Sequence, residues 1–164
     1  MTAMTSRHQF LFCFILCVAA MCVALFFQIV LHESPCPLCI IQRVFVIAMG
    51  IFFLIAYIHH PKSLGIRLYS LLELILGSGG MTVAGRQVWL QLLPKDQVPA
   101  CGPGLDTLFK MLPLQKVIAL LFQGSGECAR VYTHFLGLSL AGWTCLFFLF
   151  LMLICLWQLI FPKV

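Results

Sequence analysis

The sequence predicts an all-α membrane protein, a bundle of four transmembrane helices, and two observations decide this fold class. Of the 164 residues, 62% are hydrophobic and only 9% are charged, and the mean hydropathy is +1.07. Soluble domains are about 45–50% apolar and about 25% charged, so a globular core of this size cannot bury so much apolar surface. The apolar residues also fall into long runs, each about as long as a membrane span.

The first two apolar runs predict transmembrane helices over residues 10–31 and 40–58. The first run has no charged residue and is long enough to cross a bilayer core of roughly 30 Å at about 1.5 Å per residue, and the clear apolar part of the second is residues 44–58. The first run is longer than the core of a signal peptide, which has about 7–15 residues, and no small-residue cleavage site follows it. We therefore expect it to remain in the protein as a helix.

The third and fourth runs predict helices over residues 66–90 and 135–161. Within the third run, the small residues Gly80 and Ala84 predict the close approach of a neighbouring helix. Glu73 lies inside the same run, about six residues from its start. We interpret it as a structural residue that reaches outward to the interface, and a place in a proton path is the alternative.

The connections on the cysteine-bearing side are a short loop at residues 32–39 and a long loop at residues 91–134. Prolines and glycines mark the long loop as irregular, but apolar residues recur in it at helical spacing. They predict short amphipathic helices that lie in the membrane interface, and helices packed on their own domain are the alternative. All of these elements fit a single domain over residues 1–164.

Four spans place both termini on one side of the membrane. The short loop has no Lys or Arg, so the positive-inside rule puts the termini in the cytoplasm. Basic residues in the long loop weaken this signal, but the candidate cysteine pairs then share the outer face. The ten basic residues are spread along the chain, so they indicate membrane-flanking charges and no nucleic-acid surface. The basic residues on the terminal side are Arg7, Lys62, Arg67 and Lys163.

The nine cysteines divide into two groups by position. Those inside apolar runs are interpreted as small packing residues; they are Cys13, Cys17, Cys22, Cys145 and Cys155. The other four allow three pairings, and the spacing favours Cys36 with Cys39, which leaves Cys101 with Cys128. If both pairs are disulfides, both loops face an oxidising compartment.

The segment from Pro35 to Cys39 carries the clearest chemical signal. A Cys-x-x-Cys pair at the start of a helix lies beside unpaired backbone N–H groups, which lower the thiol pKa and make the sulfur reactive. Arg43 follows one turn beyond Cys39, so its charge can face a thiolate or an anionic ligand. Two redox pairs on one face indicate a relay from a soluble partner to an acceptor in the membrane, and a quinone fits this role. Zinc sites use the same spacing, but the histidines are scattered, and we expect no metal site.

Five motifs follow one another along the chain and resemble those of the disulfide-bond-formation protein B (DsbB) family of bacterial inner membranes. They are Pro35-Cys-Pro-Leu-Cys39-Ile-Ile-Gln-Arg43, Arg86-Gln-Val-Trp-Leu-Gln91, Leu112-Pro-Leu114, Gly124-Ser-Gly-Glu-Cys128-Ala129 and Phe135-Leu-Gly-Leu-Ser139. The resemblance implies an enzyme that reoxidises a periplasmic thioredoxin-like oxidant, DsbA, and passes the electrons to ubiquinone or menaquinone. It also implies an inner-membrane protein surrounded by lipid, with cytoplasmic termini and periplasmic redox loops. A membrane scaffold or metal-binding protein with purely structural disulfides is the alternative.

The resemblance also implies roles for individual residues. Cys36–Cys39 and Cys101–Cys128 would be redox disulfides. Cys101 would accept attack from the partner and release Cys128, Cys36 would exchange with Cys128, and Cys39 would contact the quinone.

Three polar residues complete the implied site. Arg43 would stabilise both the thiolate and the quinone. Gln91 matches a family glutamine near the quinone, and Gln87 occupies a position where some members carry histidine.

Overall fold

The computed structural model describes residues 6–30, 36–94, 126–129, 134–135 and 137–162. Four of the described helices are long and apolar enough to cross a membrane, which confirms the predicted fold class. In chain order the elements are α1 (Ser6–Val30), α2 (Pro37–His59), α3 (Ser63–Leu92), α4 (Gly126–Ala129), β1 (His134–Phe135), β2 (Leu138–Ser139) and α5 (Leu140–Ile160). The predicted amphipathic helices and Cys101 lie in residues 95–125, outside the described residues.

Helix α2 begins earlier than residue 40, because its first turn includes the Cys-x-x-Cys pair. Cys36 has an extended backbone (φ −70°, ψ 161°) and caps the helix, and Pro37 occupies the start of the first turn. Proline suits this place, since its missing N–H has no intrahelical partner there and its φ is already helical. The helix ends at His59, and His60, which caps it, adopts a left-handed conformation with φ 48°.

The predicted start of the fourth transmembrane helix at residue 135 is wrong. β1 and β2 pair antiparallel around Gly137, whose φ of +81° suits glycine because it has no side chain to clash. Ser139 then caps α5, and its Oγ accepts a hydrogen bond from Gly142 N at 3.3 Å. The hairpin therefore delays the helix to Leu140.

The bundle is held together by the contacts of α3 with α2 and α5 and of α1 with α2. Phe10 and Phe53 pack in the core with ring centroids 6.3 Å apart. A Cβ at Gly80 would lie 2.4 Å from the nearest carbons of the Phe148 ring. This contact confirms the predicted close approach of a helix at Gly80.

The buried face of α3 carries polar groups at both of its ends. Gln87 lies toward the C-terminal end of the helix, and Ser70 and Glu73 lie toward its start. Ser70 Oγ donates to Gln158 Oε1 at 3.3 Å. Glu73 is only 1% exposed, and neither carboxylate oxygen has a hydrogen-bond partner among the described residues. The expectation that Glu73 reaches outward is therefore wrong, since its side chain is enclosed by the bundle.

Candidate active site

The first turn of α2 brings Cys36 and Cys39 together. Cys36 Sγ accepts a hydrogen bond from Cys39 N at 3.4 Å, so the sulfur itself caps the helix. The two sulfurs lie 2.9 Å apart, with Cys36 donating to Cys39. None of the eight cysteines in the described part of the chain is in a disulfide. The two sulfurs of the pair are thus held within hydrogen-bond distance of each other.

Helix α4 adds a third sulfur to this pair. It packs against both α3 and α2. Cys128 is fully buried, and a side-chain hydrogen bond joins it to Cys36. Leu38, Val83 and Leu90 pack around these two sulfurs. Cys36 is thus the central sulfur of three, between Cys128 on one side and Cys39 on the other.

Exposure distinguishes the three sulfurs. Cys36 and Cys128 are buried, whereas Cys39 is partly exposed. Hydrogen bonds to Cys128 and Cys39, followed by burial, raise the pKa of the Cys36 thiol above its usual range. This is opposite to the direction expected from the helix N-terminus alone, because two thiol neighbours and the loss of water outweigh the backbone N–H groups. These neighbours and the burial therefore favour the protonated form of the Cys36 thiol.

Two buried glutamines face Cys39 from α2 and α3. Gln87 Nε2 lies 3.3 Å from Cys39 Sγ, and Gln87 Oε1 lies 3.6 Å from the same sulfur. Gln42 Nε2 donates to Gln87 Oε1 at 2.7 Å. The structure thus brings the predicted Gln87 to the reactive pair and adds Gln42, which the sequence interpretation missed. Its signal was its spacing, because a residue three positions after Cys39 lies on the same helix face.

Arg43 lies one turn beyond Cys39, as the spacing predicts, but its guanidinium contacts the end of α1. Its Nη1 donates to Gln28 Oε1, and its Nη2 donates to Ala24 O at 3.2 Å. Its recorded hydrogen bonds go to these two oxygens and not to either cysteine. Gln28 is a second residue that the sequence interpretation missed, because nothing in a single sequence shows which part of α1 faces α2.

Gln91 lies one turn beyond Gln87 on α3 and is half-buried. Among the described residues, Gln91 makes no hydrogen bond to Cys36, Cys39 or Cys128. Within the same described ranges, no group of three His, Cys, Asp or Glu side chains lies close enough to hold a metal ion.

Comparison with known proteins gives one consistent result. A family model described as "Disulfide bond formation protein DsbB" matches residues 6–158. A disulfide bond formation protein B from Nitrosococcus oceani is 50% identical over 153 residues, covering 93% of this chain and 90% of the relative. Proteins with the same name from Saccharophagus degradans and Methylococcus capsulatus are 49% and 46% identical over 152 and 149 residues. Those alignments cover 93% and 91% of this chain and 92% and 91% of the relatives.

Proposed function

Because the chain belongs to the DsbB family of disulfide bond formation proteins, we propose that it oxidises a periplasmic dithiol partner at the expense of membrane quinone. The partner is a DsbA-like thioredoxin-fold oxidant, and the quinone is the electron-accepting substrate. The chain is a multi-pass membrane protein. We place both termini in the cytoplasm and the cysteine-bearing loops in the periplasm.

The sequence in which the three sulfurs contact one another is the observation that supports this proposal. Cys128 contacts Cys36, Cys36 contacts Cys39, and only Cys39 of the three is partly exposed. Thiol–disulfide exchange requires a thiolate to reach a disulfide sulfur directly, so neighbouring sulfurs define a path. This path leads from the segment that carries Cys128 to a sulfur in the first turn of a membrane span. A purely structural pair of disulfides does not require such continuity.

The proposed reaction starts from the oxidised pairs Cys36–Cys39 and Cys101–Cys128. A thiolate of the partner attacks Cys101 Sγ, forms a mixed disulfide and releases Cys128 as a thiolate. Cys128 then attacks Cys36 Sγ, and the Cys36–Cys39 bond breaks to release Cys39 as a thiolate. The partner's second thiol attacks the partner sulfur of the mixed disulfide and releases Cys101 as a thiolate. Cys101 then attacks Cys128 Sγ, which restores the Cys101–Cys128 disulfide and leaves Cys36 and Cys39 as the reduced pair. Overall, two electrons and two protons leave the partner dithiol, which becomes a disulfide.

When bound, quinone would be the acceptor of the two electrons and two protons of this reaction. The residues around Cys39 fit such a molecule. Cys39, Ile41 and Phe45 pack against the same buried cluster at the start of a membrane span, which provides an apolar surface for a quinone ring near the sulfur. Gln87 Nε2 is placed to donate to the Cys39 sulfur, which favours the thiolate.

We assign the two remaining polar residues to the quinone. Arg43 has five N–H donors, and two of its recorded hydrogen bonds go to α1, so other donors can bind a quinone oxygen. We propose the same oxygen-binding role for the amide of Gln91, one turn beyond Gln87.

Quinone reduction by the purified full chain tests the proposal. Reduced DsbA-like protein serves as the donor, and short-chain ubiquinone and menaquinone analogues serve as acceptors. We expect the loss of quinone absorbance to match the formation of partner disulfide one for one. Cys39→Ser should abolish quinone reduction, whereas Cys22→Ser, a change at a lipid-exposed thiol of α1, should not.

The opposing result is equally clear. If neither quinone is reduced by the folded wild-type protein, or if Cys39→Ser is as active as wild type, the proposal is wrong. A chain that is inert towards both quinone and partner would favour the scaffold with structural disulfides.

A further inference from the structure

We propose that Gln42 is a positioning residue that fixes the orientation of the Gln87 amide, so that the NH₂ group of Gln87 faces the Cys39 sulfur. The inference deepens the proposed function, because it concerns how the thiolate that delivers electrons is stabilised. Gln42 is only 5% exposed and lies one turn after Cys39 on α2. Gln42 is part of the first motif described above, but the resemblance assigns no role to it.

The Gln87 amide faces a choice between two orientations. Its Nε2 and Oε1 both lie within reach of Cys39 Sγ, at 3.3 Å and 3.6 Å. An amide NH₂ group donates hydrogen bonds and therefore favours a thiolate, whereas an amide oxygen only accepts and favours a thiol S–H. Which atom faces the sulfur thus determines which protonation state the amide stabilises.

Gln42 settles this choice by occupying one of the two atoms. Its Nε2 donates to Gln87 Oε1 at 2.7 Å, which is the shortest of the three polar contacts given for the Gln87 amide. Because that donor needs an acceptor, it holds the oxygen of Gln87 on the α2 side and leaves Nε2 for the sulfur. Gln87 is itself only 6% exposed, so little water is available to compensate for a wrong orientation.

Other groups near Cys39 do not replace this effect. Cys36 donates a hydrogen bond to the Cys39 sulfur, but its side chain is also hydrogen-bonded to Cys128. Arg43, the nearest positive charge on α2, directs its guanidinium to Gln28 and Ala24 of α1. Among the described residues, Gln87 is therefore the one amide donor on the Cys39 sulfur, and Gln42 controls that donor.

Three substitutions of Gln42 and Gln87 test the inference through the reactivity of Cys39. Gln42→Met keeps an unbranched side chain of similar size and removes the donor. Gln42→Glu replaces the donor by an acceptor, which draws Gln87 Nε2 away from the sulfur and turns Oε1 towards it. Gln87→Met removes the amide that is being positioned. All three are made in the full-length chain with Cys36→Ala, so that alkylation of this segment reports Cys39 alone.

The rate of alkylation by iodoacetamide is measured by mass spectrometry over a range of pH. For Gln42→Met we expect a rate at neutral pH about 3–10-fold lower, because part of a hydrogen bond to a charged atom is lost. Gln42→Glu should lower the rate further, and its pH profile should move to higher pH. Adding Gln42→Met to Gln87→Met should produce no additional fall, since Gln42 acts only through Gln87.

Gln158→Met is the matched control, because Gln158 is a buried glutamine at the opposite end of the bundle. It is 1% exposed and hydrogen-bonded to Ser70 and Gln9. It should leave Cys39 alkylation unchanged, although it loses comparable hydrogen bonds. Thermal unfolding of each variant shows that the comparison is made on folded protein.

Two outcomes would overturn the inference. One is an unchanged Cys39 profile in folded Gln42→Met and Gln42→Glu. The other is an undiminished effect of Gln42→Met in the absence of the Gln87 amide, which would give Gln42 a direct role. Alkylation requires neither quinone nor partner, so a wild-type protein without quinone reductase activity would reject the proposed function and leave this test intact.

Discussion

Two polar residues on the same face of α3, Gln87 and Glu73, are both buried but differ in how their polar atoms are satisfied. They lie 14 residues apart, which is about 21 Å along the helix. Both atoms of the Gln87 amide have partners, one on Gln42 and one on Cys39. Neither oxygen of Glu73 has a partner among the described residues. Burial is therefore offset by hydrogen bonds at Gln87 and is uncompensated at Glu73.

This difference predicts that Gln87 and Glu73 affect different properties of the protein. A satisfied amide between two helices is held in one orientation and can act on the sulfur beside it. A buried carboxyl group without a partner costs stability, about 1–3 kcal/mol by mutational measures. Substitutions at the two ends should therefore have different consequences, in activity near Gln87 and in stability near Glu73.

The largest expected effect is at the sulfur path itself. In Cys128→Ala, Cys101 has no disulfide that the reduced partner can attack, so turnover should fall below detection. The free Cys101 thiolate should instead attack the disulfide of the oxidised partner and release one partner thiol, so that a mixed disulfide accumulates as a reductant-sensitive band on a gel. Cys155→Ala, which removes a buried thiol of α5, should keep its turnover. Mapping of the adduct to Cys36 or Cys39 would contradict the proposed order of transfer.

A smaller effect is expected at Arg43. Arg43→Gln should raise the KM for quinone about 10–100-fold, the equivalent of one charge-assisted hydrogen bond of about 1.5–3 kcal/mol. Arg43→Lys should raise it less, because it keeps the charge and loses only the planar arrangement of donors. The KM for the partner should stay constant, since the proposed attack by the partner occurs at Cys101. If both variants lose stability and the surviving protein has a normal KM for quinone, Arg43 only anchors α2 to α1.

The smallest effect on activity is expected at Glu73. Glu73→Met removes two unpartnered oxygens and keeps a long unbranched side chain, so it should raise the free energy of unfolding by about 1–3 kcal/mol. Thermal unfolding in detergent measures this, and quinone reduction should stay close to that of wild type. A loss of activity at normal stability would instead give Glu73 a place in proton movement, and the contrast between the two ends of α3 would no longer hold.

Much of the fold was predictable, because a membrane-spanning helix requires a long run of apolar residues that is visible in the sequence. The apolar runs at residues 10–31, which carry no charge, and 40–58, where Arg43 is the one charged residue, predict α1 and α2 without knowledge of any contact. The start of α5 was not predictable in the same way, since residues 135–139 are as apolar as the helix they precede. A positive φ at Gly137 and the cap at Ser139 decide that boundary, and apolarity carries no information about either.

The site shows the same division between local and tertiary information. The separation of Cys36 and Cys39 from the packing cysteines followed from their place outside the apolar runs. The roles of Gln42 and Gln28 depend on which residues of neighbouring helices face α2, and this is a property of packing between distant segments. The burial of Glu73 also depends on its neighbours, because its depth in the run permits either an enclosed or an outward-reaching side chain.

Direct exchange between Cys36 and Cys128 is the step on which the proposed sulfur path depends, and a single oxidation experiment tests it. In a Cys39→Ser and Cys101→Ser double variant, the two remaining loop cysteines have no partner except each other. Because their side chains are already hydrogen-bonded, mild oxidation should join them in a disulfide that mass spectrometry identifies as Cys36–Cys128, while buried Cys13 and Cys155 stay reduced. If Cys36 and Cys128 both remain as thiols in the folded protein under these conditions, the proposed sulfur path is contradicted.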